Sequence, residues 1–128
     1  MSEDMKTVFL IDDEAVQLNL MEAVLSQVPA NIRSYSDPEA AWEDLMIYHP
    51  QVVLLDLNMP KLGGQAWMVR LSEERKMNDF HLVVVTGNRM DEDAEFGLYS
   101  MGAIKVLEKP VNSGEILDLV NELLQEAP

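Results

Sequence analysis

The sequence predicts an α/β domain in which a parallel β-sheet is covered by helices on both faces. Two observations carry this prediction. Short runs rich in Val, Ile and Leu recur at residues 8–11, 52–55 and 82–85, without the polar alternation of a half-exposed strand. Amphipathic stretches lie between the runs, so a strand–helix unit repeats about five times with short connections. The length of 128 residues is that of one domain.

The strands are predicted in two groups. The three purely apolar runs are expected at the centre of the sheet, because a central parallel strand is buried on both faces. Residues 32–35 and 104–107 mix apolar with polar or charged side chains. This composition is typical of edge strands, and we expect both segments at the edges of the sheet.

The first helix is predicted from an apolar stripe at helical spacing. The stripe consists of Leu18, Met21, Leu25 and Val28. Pro29 is expected to end this helix, because proline has no backbone N–H and its ring clashes with the preceding turn.

The second helix is expected to begin at Ser36 and Asp37, directly before Pro38. Ser36 and Glu39 have the spacing of a capping box, and proline is favoured in the first helical turn. Pro50 is expected to end the helix. The predicted inward face consists of Ala41, Leu45 and Tyr48.

The last three helices follow from similar patterns. Trp67 and Leu71 form the stripe of the third, after Gly63 and Gly64. Residues 91–101 have a helical pattern that Gly97 weakens by about 1 kcal/mol relative to Ala. The fifth helix is predicted to begin at an Asn112 cap, with Glu115 three residues later, and to bury a stripe made of Ile116, Leu119 or Val120, and Leu123.

Composition excludes several classes of function. The chain has 23 acidic and 9 basic residues and a net charge of −14, so we expect no direct binding to nucleic acid. With no cysteine, disulfides, thiolate catalysis and thiolate-held metal centres are excluded. Residues 1–6 do not have the pattern of a secretory leader, and the apolar runs are too short to cross a bilayer. We therefore expect a cytoplasmic domain with no membrane partner.

Chemistry-bearing side chains follow the predicted strands. Asp12 and Asp13 follow the first run, Asp56 the run at 52–55, Thr86 the run at 82–85, and Lys109 the last strand. In doubly wound sheets, ligands bind outside the carboxyl ends of the strands. Each residue alone has an ordinary explanation, such as a helix cap or a turn, and their joint occurrence is what favours a site.

Three carboxylates at one edge of a sheet repel one another unless a cation offsets their charge. Oxygen ligands favour a hard ion, Mg²⁺ before Ca²⁺. Lys109 and Thr86 suit the oxygens of a phosphoryl group. The pattern therefore indicates a phosphoryl site in which Asp56 is the candidate nucleophile and forms an acyl phosphate.

Several segments resemble the receiver domain of bacterial two-component response regulators, and the resemblance covers essentially the whole chain, residues 1–128. They are residues 10–14 with the acidic pair, 54–60 followed by Gly63 and Gly64, 85–87, 101–103 and 107–110. The resemblance implies a flavodoxin-like (βα)5 three-layer sandwich whose five parallel strands have the order 2-1-3-4-5. It also implies a cis peptide bond before Pro110.

The resemblance assigns roles to the site residues. It implies that Asp56 accepts a phosphoryl group from a histidine kinase or histidine phosphotransfer protein, and that Thr86 and Lys109 hold the phosphoryl oxygens. The implied Mg²⁺ ligands are Asp13, the Asp56 side chain, the Asn58 backbone carbonyl and, through a metal-bound water, Asp12. The chain departs from the family at Val106, where Tyr or Phe is usual, so we expect the usual coupling of that aromatic ring to the Thr hydroxyl to be altered.

The leading interpretation is a phosphorylation-dependent signalling switch. It is not an enzyme beyond its own phosphorylation and dephosphorylation, and it acts on an effector protein or domain outside this chain, with a phospho-dependent dimer possible. One alternative is a protein-interaction module that signals without phosphate. A remoter one is an aspartate-based phosphohydrolase of the haloacid dehalogenase type, against which Asn58 stands where those enzymes have Asp. His49 and His81 precede strands and are expected at the opposite end of the sheet from Asp56.

Overall fold

Strands and helices alternate through the part of the chain that the structure describes. The structure, a computed structural model, describes residues 5–59, 63–74, 76 and 79–128. The elements are β1 (Lys6–Ile11), α1 (Ala15–Leu25), β2 (Ala30–Tyr35), α2 (Pro38–Tyr48), β3 (Val52–Asp56), α3 (Gly63–Glu73), β4 (His81–Thr86), α4 (Glu92–Ser100), β5 (Ala103–Glu108) and α5 (Ser113–Leu124). Residues 1–4 of the segment considered for a leader, and Pro60 of the segment 54–60, lie outside the described residues.

The five strands form one parallel sheet in the order β2-β1-β3-β4-β5. Helices α1 and α5 pack on one face of the sheet through one apolar cluster, and α2, α3 and α4 pack on the other through a second cluster. The predicted three-layer α/β fold and its strand order are confirmed. The direction of winding reverses between β1 and β3, and ligands of doubly wound sheets bind at the carboxyl end of this switch point.

Burial of the strands matches their composition. Every residue of β3 and β4 is buried, because these strands are covered by helices on both faces. The edge strands β2 and β5 each expose residues or leave them half-buried. The predicted division into central and edge strands is therefore confirmed.

Helix α1 is shorter than predicted. It ends at Leu25, and Val28 lies beyond the helix although it is buried. The N–H of Val28 donates to the Leu25 carbonyl at 3.1 Å, so the chain continues in a turn. The helical conformation is disfavoured for a residue that precedes proline. Pro29 therefore disfavours a helical backbone at Val28 as well as at its own position.

Helix α2 ends before Pro50 as predicted, but it differs from the prediction in its N-cap and in one residue of its inward face. Asp37 is the N-cap, and its carboxylate accepts a hydrogen bond from the Glu39 N–H at 3.0 Å. The Ser36–Glu39 capping box is wrong because Pro38 is the first helical residue, which places Ser36 one position too early. Tyr48 is also wrong as an inward residue, since 39% of it is exposed. Its ring lies 3.7 Å from the Arg33 guanidinium carbon, so it contacts the edge strand β2.

The predicted stripe of α3 and the predicted cap and stripe of α5 are confirmed, but α3 begins at Gly63 and not after Gly64. Trp67 and Leu71 are fully buried. The Asn112 side chain caps α5 by accepting a hydrogen bond from the Glu115 N–H at 2.9 Å. Of the two candidates left open, Val120 is buried and Leu119 is half-buried. Among the described residues, no helix is long and apolar enough to cross a membrane.

A polar cluster joins the edge strand β2 to α2. The Tyr35 hydroxyl accepts a hydrogen bond from the Arg33 Nε at 2.9 Å and donates one to the Asp44 carboxylate at 2.8 Å. The Tyr35 ring packs against Phe9, with 4.8 Å between the centroids. Burial, reinforced by the Asp44 carboxylate, raises the pKa of Tyr35 to about 12.

We expect the Tyr35 phenol to titrate at about pH 12 in the folded protein, against its ordinary pKa of 10.0. The pKa of Tyr35 is higher in the folded than in the unfolded protein, so the protonated phenol stabilises the fold. This contribution is full below pH 10 and is lost as the pH rises from 10 through 12. The measurement is the difference in phenolate absorbance between the wild type and a folded Tyr35→Phe variant. A difference spectrum that titrates at the ordinary pKa would contradict the prediction.

Candidate functional site

The topology brings the predicted site residues to one end of the sheet. Asp12 directly follows β1, Asp56 is the last residue of β3, Thr86 is the last residue of β4, and Lys109 directly follows β5. Backbone hydrogen bonds continue the sheet at this end, since the Lys109 N–H donates to the Thr86 carbonyl at 2.8 Å. Parallel strands thus carry residues far apart in sequence into one site.

Three carboxylates form the acidic part of the site. Asp12, Asp13 and Asp56 each offer an oxygen, and these oxygens lie within 4.8 Å of one another. Asp56 is only 4% exposed, whereas Asp13 is exposed to solvent. The group therefore has a buried carboxylate at its base and an open side through which a cation or substrate can enter.

Lys109 places an ammonium group among these acids. Its Nζ lies 3.1 Å from Asp12 Oδ2, 3.6 Å from Asp56 Oδ1 and 3.9 Å from Glu14 Oε1. Sequence reasoning assigned no role to Glu14, although it directly follows the acidic pair. One ammonium offsets only part of the charge of the neighbouring carboxylates, so the site favours a further cation.

The protonation of Asp56 and Lys109 follows from burial and from these neighbours. Burial raises the pKa of Asp56, and the Asp12 charge adds to the rise, whereas the Asn58 N–H and Lys109 oppose it. Burial by itself lowers the pKa of Lys109, but its hydrogen bond to Asp12 and the surrounding negative charges outweigh this effect and leave the pKa raised. Lys109 is therefore a permanent positive charge beside Asp56 at neutral pH.

Asn58 connects the ends of β3 and β4 in two ways. Its backbone N–H donates to Asp56 Oδ1 at 3.1 Å. Its side-chain Oδ1 accepts hydrogen bonds from Thr86 Oγ1 at 3.0 Å and from the Gly87 N–H at 2.8 Å. The metal-binding role that the resemblance implies for Asn58 concerns its backbone carbonyl, not its side chain. The adjacency of β3 and β4 predicts that residues 58 and 86 are near one another, but not that this amide binds the hydroxyl.

Helix α3 begins very close to the backbone of Asp56. Gly63 has a φ of 72°, in the left-handed region that favours glycine. The Gly64 N–H donates to the Leu57 carbonyl at 3.1 Å. A Cβ on Gly64 would lie 2.6 Å from Leu57 Cα and 2.7 Å from the Asp56 carbonyl oxygen. This approach requires glycine at position 64 and fixes the loop that carries Asp56 and Asn58.

Other residues singled out by the sequence lie where they were expected. His49 follows α2 and His81 begins β4, both at the end of the sheet opposite Asp56. The peptide bond between Lys109 and Pro110 is cis, as the resemblance implied. Val106 is half-buried, and its N–H donates to the Tyr99 hydroxyl at 3.2 Å.

The donor set fits a hard divalent cation. Asp12, Asp13 and Asp56 supply only oxygen atoms, which are the ligands that Mg²⁺ and Ca²⁺ take in proteins. Mg²⁺ commonly takes one or two carboxylates, keeps several waters and shares a phosphate oxygen. The exposed Asp13 carboxylate and the open side of the site leave room for such a shared ligand.

The chain is similar to proteins of one family. The sequence model of the response regulator receiver domain matches residues 8–121. Response regulator GtcR of Aneurinibacillus migulanus is 27% identical over 122 residues, which are 95% of this chain and 49% of that protein. Protein-glutamate methylesterase/protein-glutamine glutaminase 2 of Shewanella denitrificans is 29% identical over 105 residues, which are 79% of this chain and 29% of that protein.

Solved structures show the same fold. The crystal structure of a CheY-like response regulator receiver domain protein from Methanospirillum hungatei has a TM-score of 0.80 and 21% sequence identity, and the match covers 94% of each chain. The alignments with the two curated relatives cover less than half of those proteins.

Proposed function

Since the chain belongs to the response regulator receiver domain family, we propose that it is a phosphorylation-controlled signalling switch whose phosphoacceptor is Asp56. The donor would be a histidine kinase or a histidine phosphotransfer protein. One observation carries the proposal. The buried Asp56 carboxylate lies between a cluster of acids and the Lys109 ammonium, at the carboxyl ends of the central strands.

The transfer replaces one bond to phosphorus by another. An Asp56 oxygen would attack the phosphorus atom while the bond between phosphorus and the donor nitrogen breaks, and the imidazole would keep the electron pair. The product is an acyl phosphate on Asp56. Later attack by water would release inorganic phosphate and restore the carboxylate, so the domain would catalyse only its own phosphorylation and dephosphorylation.

Each neighbouring residue has a proposed part in this reaction. Lys109 would hold a phosphoryl oxygen as a point charge, because its Nζ is already 3.6 Å from Asp56 Oδ1. Thr86 would donate its hydroxyl to another phosphoryl oxygen after phosphorylation. These charge-assisted contacts exist only in the phosphorylated state, and this differential free energy is what a switch requires.

We propose Mg²⁺ as the cofactor. Asp13, the Asp56 carboxylate and the Asn58 backbone carbonyl would bind it, and Asp12 would act through a metal-bound water. When bound, Mg²⁺ offsets the charge that develops on the phosphoryl oxygens during transfer. The clustering of the three carboxylate oxygens supports this assignment.

The partners and the extent of the domain are proposals of the same kind. We propose that the receiver unit occupies residues 1–128, which the family match over residues 8–121 supports. The output would come from an effector protein or domain not in this chain, with phospho-dependent dimerisation as one route. The methylesterase relative shows by its name that a longer protein containing a similar segment can be an enzyme.

We place the domain in the cytoplasm, without membrane or direct nucleic-acid contacts.

The test is phosphorylation by acetyl phosphate, followed by intact mass. We expect one phosphoryl increment in the presence of Mg²⁺ and none after removal of the metal with EDTA. An acyl phosphate is a suitable donor because the product is also an acyl phosphate. The readout is the fraction of protein that carries the increment, with folding checked by circular dichroism.

The absence of a phosphoryl increment would also be informative. A folded protein that binds Mg²⁺ and takes up no phosphoryl group from acetyl phosphate or from histidine kinases would contradict the proposal. It would favour a receiver-like interaction module that signals without phosphate.

A further inference from the structure

The Asn58 side chain accepts hydrogen bonds from two donors that lie beside Asp56. Its Oδ1 lies 2.8 Å from the Gly87 nitrogen and 3.0 Å from Thr86 Oγ1. The Thr86 side chain is almost fully buried, and its Oγ1 also accepts a hydrogen bond from the Asn88 N–H at 3.1 Å. Two acceptors lie within reach of the single hydroxyl proton of Thr86, and Asn58 Oδ1 at 3.0 Å is closer than the Asn88 carbonyl oxygen at 3.4 Å.

Two donors that converge on one oxygen resemble the arrangement by which proteins stabilise an oxyanion. Here the oxygen belongs to a neutral amide. A phosphoryl oxygen carries negative charge and is a stronger acceptor than an amide carbonyl. A phosphoryl group on Asp56 would therefore compete with Asn58 for Thr86 and Gly87.

We propose that the Asn58 side chain is a positioning residue that holds Thr86 and Gly87 in the unphosphorylated protein and releases them when Asp56 is phosphorylated. The inference rests on the proposed function, because it concerns the same site. Asn58 itself is exposed, so water can satisfy its amide after release. The side-chain amide then acts on the balance between the two states through Thr86 and Gly87, whereas the backbone N–H of Asn58 is the group that binds Asp56.

Two variants separate this role from a general effect on folding. Asn58→Ala removes the acceptor, and Asn58→Asp keeps an oxygen at the same position. Both leave the Asn58 backbone in place. Asn121→Ala is the matched control, because Asn121 is an exposed asparagine on α5. Beryllofluoride with Mg²⁺ serves as the phosphoryl mimic.

The first readout does not depend on phosphorylation. In the metal-free protein, the Gly87 amide proton is expected to move upfield and to exchange faster with solvent in Asn58→Ala, and to keep its bonded signature in Asn58→Asp. No change at Gly87 in Asn58→Ala would overturn the inference, because it would show that the amide does not hold this donor.

The second readout is the affinity for beryllofluoride. Loss of the competing hydrogen bonds is expected to tighten binding about tenfold in Asn58→Ala, and Asn121→Ala is expected to match the wild type. Unchanged or weaker binding in Asn58→Ala would overturn the positioning role. A folded wild type that takes up neither beryllofluoride nor a phosphoryl group would instead contradict the proposed function, whatever the Gly87 signal shows.

Discussion

Asp56→Asn is expected to abolish phosphoryl uptake and, in the same protein, to increase the free energy of unfolding. The amide has no anionic oxygen, so it cannot attack phosphorus and form the acyl phosphate. The increase in stability has a separate cause. Asp56 is 4% exposed and shares its site with the Asp12 carboxylate, and burial of a charge costs free energy unless partners compensate it fully.

The positive charge of Lys109 offsets only part of the free-energy cost of burying the Asp56 carboxylate. The ammonium is closer to Asp12, at 3.1 Å, than to Asp56, at 3.6 Å. Removing the Asp56 charge therefore relieves more repulsion and desolvation than it loses in attraction. We expect a gain of about 1 kcal/mol, or a rise of about 4 °C in Tm for a chain of this size.

Both effects are measured on the same samples. Intact mass after acetyl phosphate and Mg²⁺ reports phosphorylation, and thermal unfolding in EDTA reports stability without metal. Asp118→Asn is the matched control, since Asp118 is an exposed acid on α5. This control is expected to be phosphorylated like the wild type and to unfold within about 0.5 kcal/mol of it. An Asp56→Asn protein that still gains one phosphoryl group would place the phosphoacceptor at another residue.

The elements that sequence reasoning predicts well are those whose signal is local. A run such as residues 52–55 is apolar at every position, and its short length and valine content are typical of a strand that is buried on both faces. The positions of Asp56 and Thr86 follow from the same pattern, because each stands where an apolar run ends. Their proximity then requires only that neighbouring strands are parallel.

The errors arise where tertiary contacts or backbone geometry decide. Tyr48 has the spacing of an inward residue, but the Arg33 guanidinium on β2 provides a surface for its ring at the edge of the sheet. Val28 has the spacing of the α1 stripe, but its position before Pro29 takes it out of the helix. The bond from Thr86 to the Asn58 amide depends on side-chain conformations, which no periodicity in the sequence records.

Glycine at position 64 illustrates how strongly the backbone of the site is constrained. The Gly64 N–H binds the Leu57 carbonyl, and the space for a Cβ is already occupied by the Leu57 Cα and the Asp56 carbonyl oxygen. These are backbone atoms, so no side-chain rotation can relieve the clash. Either the first turn of α3 or the end of β3 must move.

Gly64→Ala is therefore expected to lower the free energy of unfolding by about 3 kcal/mol, since overpacking against a rigid neighbour has costs of this order. The same displacement shifts Asp56 relative to Lys109. Misplacement of a reacting group by a fraction of an ångström to an ångström slows transfer, here by about 10-fold to 100-fold. Chemical denaturation measures the first effect, and the rate of phosphorylation by acetyl phosphate measures the second.

Gly97→Ala is the matched control. Gly97 lies within α4, and an added Cβ there would have nothing within 4 Å. Alanine has the higher helix propensity by about 1 kcal/mol, so this variant is expected to be more stable than the wild type and to be phosphorylated at the same rate. The two variants carry the same glycine-to-alanine change, so changes of opposite sign in their free energies of unfolding would separate two causes. They would show that the clash with the Asp56 loop, and not backbone entropy, decides the stability at position 64. A Gly64→Ala protein as stable and as readily phosphorylated as the wild type would contradict the close approach of α3 to Asp56.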